Sequence, residues 1–183
     1  MTKTLSFAAV SAAVLLRACS AGAEDQTGSI TAEEVAAAQQ AWGEGIVAIG
    51  EAYTNDGDYT EAAREHIERF YAYGHDVPVL FKPTLAAEDQ FRGDFDGALS
   101  YFVGGSIDED GGFAIAPYTN VRWENEGTFI DPAADSAMAM GNYFFTTTEG
   151  EEVKVEYSFG YIEDETGDLK IVLHHSSLPY SPQ

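Results

Sequence analysis

The sequence predicts an α+β domain in which N-terminal helices pack on one face of a strongly curved antiparallel sheet. Two observations carry that expectation. Apolar residues recur at helical spacing through the first half of the chain, and from Gly112 onward aromatic and β-branched segments alternate with turns rich in Gly and Asp. Helices first and meandering strands after them is the α+β order. A length of 183 residues suits one domain with a short appendage. With 45% hydrophobic and 13% aromatic residues, the chain can bury a core despite its net charge of −22.

The elements follow in order. Residues 1–23 read as an export signal: Lys3 is the positive head, Leu5 to Leu16 the apolar run, and Ala21-Gly22-Ala23 the small-residue cleavage site. Residues 24–30 read as a flexible leader and 31–183 as a single domain. Thr31 and Glu34 form a capping-box pattern, and Val35, Ala38, Trp42, Ile46, Ile49 and Tyr53 continue at helical spacing. Asn55-Asp56-Gly57-Asp58 breaks that helix, and Tyr59, Ala63, Ile67 and Phe70 resume the period until Gly74. Pro78 and Pro83 frame a short apolar stretch, Val79-Leu80-Phe81. A third helix is expected around Phe95, Ala98, Leu99 and Phe102, ending at Gly104-Gly105. Strands are expected near 112–117, 120–130, 136–147, 152–162 and 168–177. Along the fourth, Val153, Val155, Tyr157 and Phe159 alternate with Lys154, Glu156 and Ser158, the pattern of one buried and one wet face.

Charge excludes some partners. With 31 acidic against 9 basic residues, the chain lacks the Lys and Arg clusters that bind phosphates, so nucleic acid is not expected as a partner. Anionic lipid surfaces are disfavoured for the same reason. Removal of residues 1–23 takes Lys3 and Arg17 and no acid, which deepens the negative charge. The expected destination is periplasmic or secreted. Cys19, the single cysteine, excludes an intrachain disulfide. Leu16-Arg17-Ala18-Cys19 leaves a lipoprotein anchored through Cys19 as the alternative, although Arg17 fits such a motif poorly.

The densest chemistry lies at the end of the last strand, Ile171-Val172-Leu173-His174-His175-Ser176-Ser177. Strand alternation puts His174 and Ser176 on one face with Val172, and His175 and Ser177 on the other with Leu173. The His174 face is assigned to a concave pocket; a polar strand end at a subunit interface or in solvent is the competing reading. The four histidines, His66, His75, His174 and His175, show no His-x-His or His-Glu-x-x-His spacing, so a three-histidine zinc site is not expected. Asp56 and Asp58 lack the glutamate of a calcium loop, the paired glycines lack a nucleotide-loop context, and Ser176 sits in no nucleophile elbow. Thr84 and Tyr101 place hydroxyls in apolar surroundings, where an unpartnered hydroxyl is costly. A helix cap before Ala86 and ordinary core packing are their plain alternatives.

Taken in order, Phe81-Lys82-Pro83-Thr84, Phe91-Arg92, Gly97-Ala98-Leu99-Ser100-Tyr101-Phe102, Glu109-Asp110, Gly112-Phe113-Ala114, Ala139 to Phe145, Lys154 to Tyr161 and His174-His175-Ser176-Ser177-Leu178-Pro179-Tyr180 resemble the iota-class carbonic anhydrases. The resemblance covers most of the chain after residue 23. It implies a cone-shaped NTF2-like fold, related to the association domain of calcium/calmodulin-dependent protein kinase, and reversible hydration of carbon dioxide to bicarbonate and a proton. It also implies a pocket lined by the catalytic residues Thr84, Tyr101, His174 and Ser176, and a homodimer formed through the exposed sheet face. Iota enzymes are of metal-dependent and metal-free kinds. The scarcity of histidine ligands favours the metal-free kind, with Zn²⁺ or Mn²⁺ as the alternative cofactor. On that footing the hydroxyls hold a water in line with carbon dioxide, and His174, with an ordinary pKa near 6.5, serves as proton acceptor or relay. Two other classes stay open: a non-catalytic small-ligand binder with a pocket but no rate enhancement, and an oligomerisation module with the His-His-Ser-Ser strand buried at a subunit contact and no pocket behind it.

Overall fold

The computed structural model describes residues 30–182; the expected export signal and Cys19 lie outside the described residues. Helix α1 (Ala32–Thr54) starts with the complete capping box, Thr31 and Glu34 satisfying each other's backbone N–H groups. Ile30, assigned to the leader from sequence, is buried with Val35, and these are the two positions at which a hydrophobic staple fixes a helix entry. Helix α2 (Tyr59–Phe70) is capped by Asp58 and packs against α1. The contact is close because Gly45 has no side chain: a Cβ there would stand 2.2 Å from the His66 ring.

Helix α2 stops at Phe70 rather than Gly74. Tyr71 is already extended and bridges Ile171 in parallel, and the Ala72 N–H donates to the Ile171 carbonyl. Sequence periodicity extends the helix because Phe70 and Tyr71 are both apolar in pattern, whereas the unpaired edge of the last strand offers Tyr71 and Ala72 a ladder instead.

Five strands form one sheet in the order β1-β5-β4-β3-β2: β1 (Leu80–Lys82), β2 (Asn120–Asp131), β3 (Ser136–Thr146), β4 (Glu152–Glu163) and β5 (Leu169–Ser177). The long strands are antiparallel, as expected, but β1 pairs parallel with β5, so the sheet is mixed. A parallel partner needs a long crossover, and here the whole segment from Pro83 to the end of β4 supplies it. Curvature has local causes. A bulge at Asn125–Gly127 in β2 faces Gly141 in β3, where a Cβ would lie 2.1 Å from the Glu124 carbonyl oxygen; only glycine permits that approach.

The segment 112–117, expected as a strand, is a 3₁₀ turn over Phe113–Ile115 entered through Gly112 at φ +80°. That left-handed residue turns the chain away from the sheet and drops Phe113 into the core against Tyr101, at 5.6 Å between ring centroids. Helix α3 (Phe95–Val103) ends at Gly104, as its sequence predicts. The core lies between the concave sheet face and α1 to α3 and is dominated by aromatic rings, with Trp42 at its centre touching His66, Trp123, Tyr143, Phe159 and His174.

Candidate functional site

Strand β5 runs between β1 and β4, and register decides what its inward residues meet. His174 is the cross-strand partner of both Phe81 and Phe159. Its ring is therefore sandwiched, lying nearly parallel to Phe81 at 4.5 Å and tilted against Phe159 at 4.1 Å. His174 and Ser176 are each 3% exposed, whereas His175 is exposed on the opposite face. The alternation expected from sequence thus holds from Leu173 to Ser177. It breaks one residue earlier, where a bulge at Val172 makes Ile171 the buried residue in its place.

Pro83 has no N–H and ends the β1 ladder. The chain then turns, and Thr84 reaches across to β5, where its Oγ1 donates to Ser176 Oγ at 2.8 Å. No helix begins at Ala86, so the capping alternative for Thr84 falls away. Instead, the Glu109 carboxylate collects the backbone N–H groups of Ala87, Glu88 and Asp89, and those hydrogen bonds hold it below the usual carboxylate range. Behind it Arg92, wholly buried, pairs with Asp110 at 2.7 Å, and its backbone N–H bonds the Phe81 carbonyl. Two loops are thereby stapled together under Thr84. Arg92, Glu109 and Asp110 carry the resemblance in the sequence, but nothing in their spacing alone indicated this supporting role.

Thr84, Tyr101, His174 and Ser176, the four residues singled out from sequence, line one pocket with Leu85, Phe113, Tyr118, Tyr143, Phe145, Val155 and Leu178. About 60 Å³ of it is open to water-sized groups. A single water needs roughly 10–15 Å³ on that scale, so the open space corresponds to about four to six water-sized groups and takes a small molecule of three or four heavy atoms. Tyr101 is turned so that its hydroxyl faces the backbone N–H groups of Leu85 and Thr84; burial pushes its pKa up to about 12. Tyr143 was not singled out from sequence. Its buried hydroxyl faces those of Ser176 and Thr84, and burial keeps it protonated well above the ordinary tyrosine value. Its signal was present in the alternation of β3, which puts Ala139, Tyr143 and Phe145 on the buried face.

His174 differs most from expectation. Burial among aromatic rings, with further lowering by His175 and His66, holds its pKa well below 6.5, and among the described residues no carboxylate contributes to stabilise an imidazolium. It is a neutral imidazole and a poor resting place for a proton. Its Nδ1 is engaged by the Tyr71 hydroxyl at 2.8 Å, and its Nε2 has no partner among the described residues.

A family model described as metal-independent carbonic anhydrase matches residues 33–178. The chain belongs to that family. It is 42% identical over 156 residues to a metal-independent carbonic anhydrase from Nostoc sp., a stretch covering 83% of this chain and 75% of that protein. The crystal structure of a cyanobacterial iota-carbonic anhydrase complexed with bicarbonate is 40% identical and superposes with a TM-score of 0.80 over 84% of this chain and 95% of that one. A putative calcium/calmodulin-dependent protein kinase II association domain from Xanthomonas campestris shares the fold at 23% identity, with a TM-score of 0.50 over 83% of this chain and 91% of its own. These metal-independent carbonic anhydrases need no metal, and among the described residues no group of three or more His, Cys, Asp or Glu side chains is placed to hold one.

Proposed function

We infer that the Thr84–Ser176 pocket is where this carbonic anhydrase interconverts carbon dioxide and bicarbonate without a metal. The observation that carries the reading is the cluster of hydroxyls from Thr84, Ser176, Tyr101 and Tyr143 around a cavity sized for that substrate, in a chain of the metal-independent family. Without a metal to acidify water, catalysis must come from placement and from donors aimed at developing charge. Apolar walls from Phe113, Phe145 and Val155 suit linear, uncharged carbon dioxide. Hydroxyls both donate and accept, so Ser176 and Thr84 hold the attacking water and pass its proton outward. In the balanced step, water oxygen bonds to carbon, one carbon–oxygen double bond becomes a single bond to O⁻, and one water proton passes to Ser176, whose own proton moves to half-buried Thr84 and on to solvent as the two hydroxyls turn to reverse the bond in which Thr84 donates. Tyr101 donates to the oxygen that gains charge; its raised pKa keeps it a donor. His174, held neutral, orients rather than stores protons.

Two further proposals accompany this one. The chain forms a homodimer through the outer sheet face, supported by the exposed cross-strand cluster of Phe129, Met138 and Met140. It is exported, supported by the pattern of residues 1–23. The deciding experiment is stopped-flow hydration of carbon dioxide by metal-stripped protein. Turnover that survives chelation and disappears in Ser176→Ala supports the reading; turnover restored only by Zn²⁺ or Mn²⁺, or unaffected by Ser176→Ala and Tyr101→Phe together, overturns it. A binder without catalysis would show bicarbonate affinity and no rate.

A further inference from the structure

We propose that Tyr71, held by Trp42, is a positioning residue that fixes the His174 imidazole in its Nε2–H form and so makes His174 a hydrogen-bond donor to the bound carbon dioxide or bicarbonate. The proposal rests on the reading of the pocket given above. Three residues from distant parts of the chain form one relay: Trp42 on α1, Tyr71 just after α2, and His174 on β5. Trp42 Nε1–H donates to the Tyr71 hydroxyl oxygen at 3.2 Å, and that oxygen lies 2.8 Å from His174 Nδ1. An indole can only donate, so the Tyr71 oxygen is the acceptor in the first contact. Tyr71 is fully buried, and its own O–H must find an acceptor. Nδ1 is that acceptor, and a neutral imidazole accepting at Nδ1 carries its proton on Nε2.

The other edge of the ring completes the inference. His174 lines the pocket and Tyr71 does not, so the edge away from Tyr71 is the pocket edge. Nε2 is on that edge, buried and without a partner among the described residues. A proton at Nε2 meets negative charge growing on a substrate oxygen with a donor, whereas the opposite tautomer would present a lone pair to the same charge. Burial also keeps both the phenol and the imidazole uncharged, which preserves the direction of every donor in the relay. Phe81 and Phe159 clamp the ring plane, so it cannot rotate to exchange its two nitrogens without displacing them.

The test combines ¹⁵N NMR of the histidine rings in the full chain with stopped-flow hydration rates. Wild-type His174 should show a protonated Nε2 and a bare Nδ1. Tyr71→Phe should lose that pattern and lower kcat by at least about tenfold with a smaller change in KM, the size expected for disturbing one transition-state donor. Trp42→Phe, which frees the Tyr71 oxygen but leaves the Tyr71–His174 bond, should move both readouts in the same direction by less. A wild-type signal showing Nδ1 protonated overturns the proposal even if Tyr71→Phe does not fold. So does a Tyr71→Phe protein whose rate falls with the tautomer unchanged, or whose tautomer changes with the rate unchanged. If instead the wild-type tautomer is as stated while Ser176→Ala and His174→Phe retain full activity, the pocket reading fails and the tautomer assignment stands.

Discussion

Thr84 Oγ1 and Ser176 Oγ lie 2.8 Å apart although 92 residues separate them in sequence. Each hydroxyl has the other as a neighbour in an otherwise aromatic and aliphatic pocket, so the pair acts as one unit rather than as two independent donors. Ser176→Ala should lower kcat by about 10²-fold or more, in the range for loss of a positioned proton-transfer group or oxyanion donor. Thr84→Val should cost a similar factor. The double variant should cost little more than the worse single one, because both substitutions remove the same chain. Stopped-flow rates on the three proteins decide it, and multiplicative losses would show that the two hydroxyls act separately.

The pH profile follows from the surroundings of His174. An ordinary histidine base gives an activity limb near its pKa of about 6.5. Burial puts the His174 value well below that, so hydration kcat/KM should run flat through this pH and fall only in more acid solution. A limb centred near 6.5 that disappears in His174→Phe would show that the imidazole titrates as a free side chain does.

Much of the pocket's lining is legible in the sequence, and the reasons differ residue by residue. His174 and Ser176 were paired correctly because strand period is rigid, and only a bulge at Val172, which no local residue type announces, upset the alternation upstream. Thr84 and Tyr101 stand out as hydroxyls in apolar surroundings, but on residue type alone a cap and a core ring fit them better, and only the family resemblance places them at the pocket. Tyr71 was hidden because the helical pattern of α2 runs on past Phe70, while the competing hydrogen bonds come from β5, a hundred residues away. The mixed sheet was missed for a related cause: β1 has only three residues, too few for a period, and its pairing with β5 is non-local. Glycines that bend the sheet or seat a helix read only as loop signals until the atoms opposite them are known.

The buried pair of Arg92 and Asp110 supports the loop that carries Thr84, and it is asymmetric in what its loss would cost. The Arg92 side chain is fully buried and that of Asp110 is 1% exposed, so removing Arg92 strands Asp110, whereas Arg92 without the Asp110 charge still has the Glu109 carboxylate at 3.9 Å and that of Asp89 at 3.8 Å. Arg92→Met should destabilise the fold by about 3–5 kcal/mol in urea unfolding, and Asp110→Asn by less, because Arg92 retains Glu109 and Asp89. Glu109→Gln should be milder for stability, since Glu109 lies nearer the surface, but it weakens the clamp on the Ala87, Glu88 and Asp89 amides and should raise KM. A Glu109→Gln enzyme with unchanged kinetics would detach that clamp from the site.

A net charge of −22 has little to do with a neutral substrate and works against attraction of bicarbonate. Its physical consequence is self-repulsion across the surface, which salt screens: the Debye length falls from about 30 Å at 0.01 M to about 3 Å at 1 M. Thermal midpoints should therefore rise with sodium chloride over that range. A flat or falling midpoint would mean that the carboxylates are already compensated by local partners.

His66 offers the cleanest link between burial and acid stability. It is 5% exposed, wedged against Gly45 and ringed by Trp42, Phe70 and Phe102, and neither ring nitrogen has a partner among the described residues. Burial, with a smaller contribution from Arg69, lowers its pKa to about 3. Unfolded, the same ring takes a proton near 6.5, so above that pH neither state is charged and His66 exerts no pull. As pH falls below 6.5 the unfolded chain binds a proton that the folded one refuses, and stability drains at about 1.4 kcal/mol per pH unit until the folded ring itself protonates near 3. His66→Leu removes that titration and two unsatisfied polar atoms together. Urea unfolding at a series of pH values should give curves for the two proteins that diverge below about 6.5 by that slope, with the carboxylate and net-charge contributions common to both cancelling in the difference. Parallel curves would mean that water reaches the ring and that His66 titrates alike in both states.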